Sequence, residues 1–277
     1  MSGWLAELDI EYTRHQDRTV AHFSHQGPLR LLKSLYPEGD AICHNVLVHP
    51  PSGLVGGDTL NIQIHVDAQA HALLTTPGAS RFYRSERGLA TQRVQARLGD
   101  GARLEWLPLE TLAYNGCDGL NQVLFELAPS AELLAWDITA LGLPHANLPF
   151  DTGQLQQHME IPGVWLERGL LRATDERLMN GSLGLRGMRC MATLVWACGE
   201  TIQRDRKEQA LGIAQDALTH LPADVYAGVT APHGQVMVVR VIAPVVEPAQ
   251  LVLRAVWSAW RQALWKVGGT FPRIWAM

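Results

Sequence analysis

Five carboxylates stand where an ionised carboxylate is costly. Asp58, Glu105, Glu110, Asp137 and Glu167 lie within or beside strongly apolar sequence, Asp137 most plainly, between Trp136 and Ile138. Such groups need a cation or hydrogen-bond donors to stay charged. They therefore imply either buried ion pairs, for which Arg81, Arg84 and Arg103 are close in sequence, or a polar, acid-lined path through the body. Paired carboxylates also cleave glycosides when held about 5–9.5 Å apart in an open cleft, so a carbohydrate-active β-solenoid enzyme is one alternative. A metal-buffering protein is another. The histidines favour it weakly: His22 with His25 and His44 with His49 are loosely spaced, without the third and fourth ligands of a tight site. Cys43, Cys117, Cys190 and Cys198 form no C-x-x-C pair and read as reduced, buried small hydrophobes. No P-loop, H-E-x-x-H helix or G-x-S-x-G elbow is present. Gly53-Leu54-Val55-Gly56-Gly57-Asp58 leads into a strand pattern and not a helix, so no helix dipole waits there for a phosphate.

Three segments that would position these residues share one template: an alternating strand, a three-residue turn, and a second strand opening with alanine. The first runs Thr59 to Val66, turns at Asp67-Ala68-Gln69 and resumes at Ala70. The second runs Thr91 to Leu98, turns at Gly99-Asp100-Gly101 and resumes at Ala102. The third runs Leu120 to Leu127, turns at Ala128-Pro129-Ser130 and resumes at Ala131. Aligned turns are 32 residues (Val66 to Leu98) and 29 residues (Leu98 to Leu127) apart. A hairpin-like unit with one apolar face cannot bury it alone, so a period near 30 predicts a mainly β, superhelical, solenoid-like stack. An ordinary sandwich is the competing architecture. Two stretches carry helix punctuation, about 205–221 and 249–267. Asp205 and Glu208 have capping-box spacing in the first, and the second places Leu253, Trp257, Trp260 and Leu264 on one stripe before Gly268-Gly269. Trp257, Trp260 and Arg261 are candidates for a partner groove, since Trp and Arg dominate interface hot spots; core packing is the simpler role. The β-rich body would then span about 1–200 and 223–247 of a single domain over 1–277.

A chain of 277 residues, 47% apolar and 18% charged, can bury a sizeable core. Its net charge of −4 without a basic run argues against nucleic acid as a partner. No stretch reads as a signal peptide or membrane span, which predicts a cytoplasmic protein without membrane attachment.

The stretch His49-Pro50-Pro51-Ser52-Gly53-Leu54-Val55-Gly56-Gly57-Asp58 and the later Thr75-Thr76-Pro77-Gly78-Ala79-Ser80-Arg81-Phe82-Tyr83-Arg84-Ser85 together resemble the urease accessory protein UreD (UreH) family. Gly27-Pro28-Leu29-Arg30, Tyr36-Pro37-Glu38-Gly39, Leu104-Glu105-Trp106-Leu107-Pro108, Leu134-Ala135-Trp136-Asp137 and Pro272-Arg273-Ile274-Trp275 continue the match in family order. The resemblance implies a non-catalytic scaffold for urease maturation. It would dock on apo-urease with UreF and the GTPase UreG and conduct Ni²⁺ through an internal tunnel, with no tightly bound cofactor. It implies further that Asp58, Asp137 and Glu167 fall where the family carries carboxylates associated with that path, with Glu105, Glu110 and Tyr83 as secondary candidates. A conduit is better made of carboxylate and water than of thiolate, because a transferred ion must leave as readily as it arrives. A nickel-buffering protein would instead hold the ion. The chain departs from the family pattern at Ser52, where a glycine is usual, so position 52 tests for a positive φ. It departs again from Ala173 to Gly187, just downstream of Glu167.

Overall fold

The first strand of each repeated segment alternates, and its buried apolar residues face inward. In a computed structural model describing residues 3–276, the strands are, in chain order, β1 Leu5–His15, β2 Arg18–Gln26, β3 Arg30–Leu31, β4 Ile42–Val48, β5 Thr59–Val66, β6 His71–Thr75, β7 Ser80–Phe82, β8 Ala90–Leu98, β9 Arg103–Leu107, β10 Thr111–Ala113, β11 Cys117–Leu127, β12 Glu132–Leu141, β13 Gly153–Ile161, β14 Trp165–Arg172, β15 Cys190–Cys198, β16 Tyr226–His233 and β17 Val236–Ala243. They form a seven-stranded sheet, β14-β13-β11-β8-β5-β1-β2, facing a ten-stranded sheet whose main path is β16-β17-β15-β12-β9-β6-β4-β3. Short β7 and β10 continue the second half of β12 as a third wall.

This is a β-solenoid, and the sequence period is its register. Val66 pairs with Leu98 and Leu98 with Leu127 across parallel β5, β8 and β11. The units differ from hairpins in one respect. The two strands of each unit do not pair with each other; the turn carries the chain from one sheet to the opposite one, and each strand pairs in parallel with its equivalent in the next coil. An arch of this kind lets both strands aim their apolar residues at the shared interior, which a flat hairpin cannot do. The turns stack as well: the Gly99 amide donates to the Val66 carbonyl (2.8 Å) and the Ala128 amide to the Leu98 carbonyl (2.9 Å).

The middle strands of the ten-stranded sheet are buried on both faces. On its inner side Leu104, Trp106, Leu133, Ala135, Val195 and Val238 join the solenoid core. On its outer side Leu134, Trp136, Leu194, Trp196, Met237 and Val239 meet a helical layer. After the five-residue α1 (Glu176–Asn180), which the sequence pattern did not announce, that layer is built from α2 (Arg204–Ala217) and α3 (Val246–Trp260), the latter continuing in a π-helical turn over Arg261–Trp265. Both expected helices are present with shifted ends. Asp205 lies in the first turn and does not cap α2, and the C-terminal helix stops at left-handed Lys266, before Gly268-Gly269.

Small Ala210 and Ala214 on α2 let α3 approach, where the Trp260 indole donates to the Ala210 carbonyl (2.9 Å). The C-terminal Trp275 closes the layer by donating to Thr75 Oγ1 (2.8 Å), its ring 5.2 Å from that of Trp136.

Candidate functional site

Alternation along the strands makes the interior apolar at almost every inward position, which singles out the exceptions. On β8, β11 and β13 the inward residues include Ala90, Val94, Ala96, Val123, Phe125, Leu155 and Met159, all in the core. One inward rung is polar instead. Gln92 pairs with Asn121 and Asn121 with Gln157, and all three are buried.

The short third wall answers with hydroxyls at the same parity as core residues Phe82, Ala113 and Leu141: Ser80 pairs with Thr111 and Thr111 with Thr139. The two ladders touch. Gln157 Nε2 crosses between them by donating to Thr139 Oγ1, and within the amide ladder Gln92 Nε2 donates to Asn121 Oδ1 (3.1 Å). The result is a polar seam crossing three adjacent strands, about 10 Å at the usual strand spacing. Leaving six polar side chains in a core is unfavourable unless they are satisfied or used.

The seam ends on two of the expected carboxylates. Asp137 has the inward parity of Ala135 and Thr139 on β12 and accepts from Gln157 Nε2 through Oδ2 (2.8 Å). Glu167 comes from β14 in the facing sheet. It accepts from Thr193 Oγ1 (3.1 Å) and from Arg240 (2.9 Å), and Thr193 is the residue paired with Asp137. Asp137, Glu167, Gln157, Met159, Met191 and Thr193 line a cavity of about 10 Å³, room for roughly one water. Burial, and then the Glu167 charge, push the Asp137 carboxyl up to about 7, against a hydrogen bond from Gln157 that favours the anion. Only Glu167 has a cationic partner, so Asp137 exchanges its proton near neutral pH.

At the seam's other end, Gln92 and Ser80 open onto a cavity of about 280 Å³ walled also by His49, Ser52, Gly78 and Arg81. Asp58 lies in an adjoining groove with Trp4, Gly53 and Tyr83. Its carboxylate accepts the backbone amides of Trp4 (2.9 Å) and Val55 (3.0 Å), so it fastens the N-terminal strand to the glycine-rich turn. Tyr83 stacks near Tyr114 (4.8 Å between centroids), and its ring fills the space a side chain at Gly53 would need. The expected set is therefore divided: Asp137 and Glu167 share one cavity, while Asp58 and Tyr83 stand together in another. Ser52 has φ +70°, the left-handed conformation that glycine favours.

Glu105 belongs elsewhere. It points away from the solenoid interior, is fully buried, and accepts from the Trp257 indole (2.7 Å), with His71 Nε2 at 2.8 Å and Arg261 Nε at 2.9 Å. Arg261 reaches Glu38 through both terminal nitrogens (2.9 Å each), and Glu38 also contacts His44 (2.9 Å). Burial would raise both carboxyls, but these partners hold Glu105 below its ordinary value and Glu38 at about 2.

This network pins the C-terminal helix to the sheet, which corrects two expectations. Glu105 lines no path, and Trp257, Trp260 and Arg261 form no partner groove, because all three are fully buried against the chain's own sheet. The ion-pair partners are also not those closest in sequence. Arg84 lies 3.8 Å from Glu86, and Arg103 stacks over Trp265. Glu110 borders a separate apolar groove with Leu112, Leu143 and Val246.

The amide and hydroxyl ladders were missed in sequence, although the signal was present: polar residues at core parity, recurring at the coil period. All four cysteines are buried and free. Burial pushes the Cys117 and Cys190 thiols to about 12, so they stay protonated and poor metal ligands at neutral pH. Among the described residues no three His, Cys, Asp or Glu side chains converge as a metal cage, and no helix is long and apolar enough to cross a membrane. The oxygen ligands available at the seam's end are those of Asp137, Glu167, Thr193 and Gln157.

Comparison with known proteins agrees with the sequence motifs. A family model described as UreD urease accessory protein matches residues 5–276. Curated proteins named Urease accessory protein UreD align over 274 residues, 99% of both chains, at 57% identity in Paracidovorax citrulli and 56% in Polaromonas sp.. The corresponding protein of Methylibium petroleiphilum is 46% identical over 99% of both chains.

Proposed function

The chain belongs to the UreD family of urease accessory proteins, and from that premise we propose that it is a non-catalytic scaffold whose polar seam conducts Ni²⁺ toward apo-urease. The observation supporting this reading is the in-register alignment of Gln92, Asn121 and Gln157 opposite Ser80, Thr111 and Thr139, ending at Asp137 and Glu167. Neutral amide and hydroxyl oxygens bind a divalent cation weakly, so the ion moves on. A tight nitrogen or thiolate site would retain it. Asp137 supplies charge when the ion arrives, by giving up a proton it holds near pH 7. Glu167, held by Arg240 and Thr193, keeps a fixed carboxylate at the outlet. UreF and the GTPase UreG would deliver nickel on one side, and the urease apoprotein would receive it on the other.

A glycosidase reading is disfavoured by space. The cavity shared by Asp137 and Glu167 holds about 10 Å³, too little for a sugar ring. The test is urease maturation in cells lacking the endogenous UreD, complemented by wild type, Asp58→Ala, Asp137→Ala or Glu167→Ala. Asp137→Ala and Glu167→Ala should retain the complex yet leave urease poor in nickel. Asp58→Ala should lower the amount of folded protein and complex, because it frees two backbone amides. Normal activation by Asp137→Ala and Glu167→Ala together would remove these side chains from the path.

A further inference from the structure

The two sheets of the solenoid do not end together. At one end of the seven-stranded sheet, β2 lies against β4 of the opposite sheet. At the other end β14 is the edge, reaching Thr193 of β15 through Glu167, while the ten-stranded sheet runs on into β17 and β16. The burial of β16 shows the resulting shelf. Tyr226 pairs with Ile242, Gly228 with Arg240 and Thr230 with Val238, so the three share the inner face of core residue Val238. All three are nevertheless exposed, whereas the alternate residues Ala227, Val229 and Ala231 pack on the helical layer. Above this shelf, the backbone of β14 pairs with β13 alone. Alternate N–H and C=O groups of residues 166–171 therefore point in the sheet plane into the space over the shelf, without a partner strand among the described residues. Two glycines border that space. Gly169 has the inward parity of Glu167 and Leu171, Gly228 lies on the shelf, and a side chain at either meets nothing within 4 Å. A glycine inside a strand leaves room for another backbone to come close.

We propose that this notch receives an extended segment of a partner protein, which pairs with the β14 edge, continues the seven-stranded sheet and covers the shelf of β16 and β17. An added strand takes affinity from main-chain hydrogen bonds and specificity from alternate side chains. On the outward face of β14 that alternation is Leu166, Arg168, Leu170, Arg172. The leucines are 47% and 36% exposed. Among the described residues neither arginine has an acidic partner; Arg172 donates to Gln154 (3.3 Å), and His158 stands opposite Arg168. The partner segment therefore alternates apolar and acidic residues on that face. A two-fold pair of copies of this chain does not match. Antiparallel β14 against β14 sets arginine against arginine, or arginine against leucine, in every register that pairs more than one outward residue of each strand. The proposal stands on sheet topology, independently of nickel transit; if both readings hold, the added strand borders the outlet at Glu167.

Residue-resolved amide hydrogen exchange of the full-length chain tests it, with a synthetic strand as the probe. The probe is the peptide Thr-Leu-Thr-Glu-Thr-Leu-Thr-Glu, and Thr-Leu-Thr-Lys-Thr-Leu-Thr-Lys is its control. At about ten times its Kd, the acidic peptide is expected to slow exchange roughly tenfold at the edge-facing amides of β14 and to leave those of β2 unchanged. The lysine peptide should protect neither edge. Arg168→Glu combined with Arg172→Glu should reverse the preference between the two peptides. Gly228→Phe fills the space over the shelf with β14 intact and should weaken binding of the acidic peptide by about tenfold or more. Absence of protection on β14, equal protection on β2, or a preference unmoved by the charge reversal would overturn the proposal, as would a dimer of the free chain whose β14 amides are already protected.

Discussion

Replacing Asp137 with asparagine separates what this side chain does for folding from what it does for nickel. In the folded chain the carboxyl titrates near 7, raised by burial and the Glu167 charge, against an ordinary value of 3.8. Between those values the folded state keeps a proton that the unfolded state has released. The group's contribution to stability is therefore complete below about pH 4 and is lost as pH rises through 7. Two pH units between 5 and the midpoint, at about 1.4 kcal/mol each, give roughly 2.7 kcal/mol. Asp137 keeps partial solvent contact, which roughly halves the figure, to about 1–1.5 kcal/mol. Asparagine retains the acceptor for Gln157 Nε2 and carries no charge to desolvate.

Urea unfolding of both proteins at pH 5 and pH 8 should show Asp137→Asn gaining about 1–1.5 kcal/mol on the wild type between the two, and should find it the more stable protein at pH 8. The same variant should fail in urease maturation. Parallel stability profiles across this range would show that the carboxyl is not strained, and the electrostatic reasoning about the site would be wrong.

Arg261→Met leaves Glu38 and Glu105 buried without their shared cation. It should cost about 3–5 kcal/mol in denaturant unfolding, and an unchanged midpoint would show that the network is not what holds the C-terminal helix. Ser52→Gly relieves a left-handed φ of +70° and should stabilise by about 0.5–1 kcal/mol, read as a shift in the urea midpoint at constant m; a loss of stability would mean that the serine hydroxyl matters more than the backbone.

The solenoid was legible because its coil period is a hydrogen-bond register: the spacings from Val66 to Leu98 and from Leu98 to Leu127 are the pairings themselves. The arches were not, since a three-residue turn looks the same in sequence whether its strands pair or part. Asp137 stood out between Trp136 and Ile138, but its partner could not be found by proximity along the chain. Gln157 reaches it from a strand of the facing sheet, and Arg240, on β17 and largely exposed, reaches Glu167 at the solvent rim. Glu105 misled for the same reason. One position of parity separates it from inward Leu104 and Trp106, and that step turns it toward Arg261. The tryptophan stripe of α3 was correctly seen as one apolar face, but sequence does not say whether such a face meets a partner or the chain's own sheet.

Asn121 tests nickel passage through the interior most directly, because it is buried at the middle of the seam, away from any docking surface. Asn121→Leu replaces the amide with an apolar side chain of similar volume and removes the acceptor of Gln92 Nε2, a cost of about 1–3 kcal/mol that should still leave the chain folded and the complex formed. Metal analysis of urease matured with this variant is expected to show nickel well below the wild-type level while the complex is recovered in wild-type yield. Nickel at the wild-type level in that urease would mean that the ion takes another route.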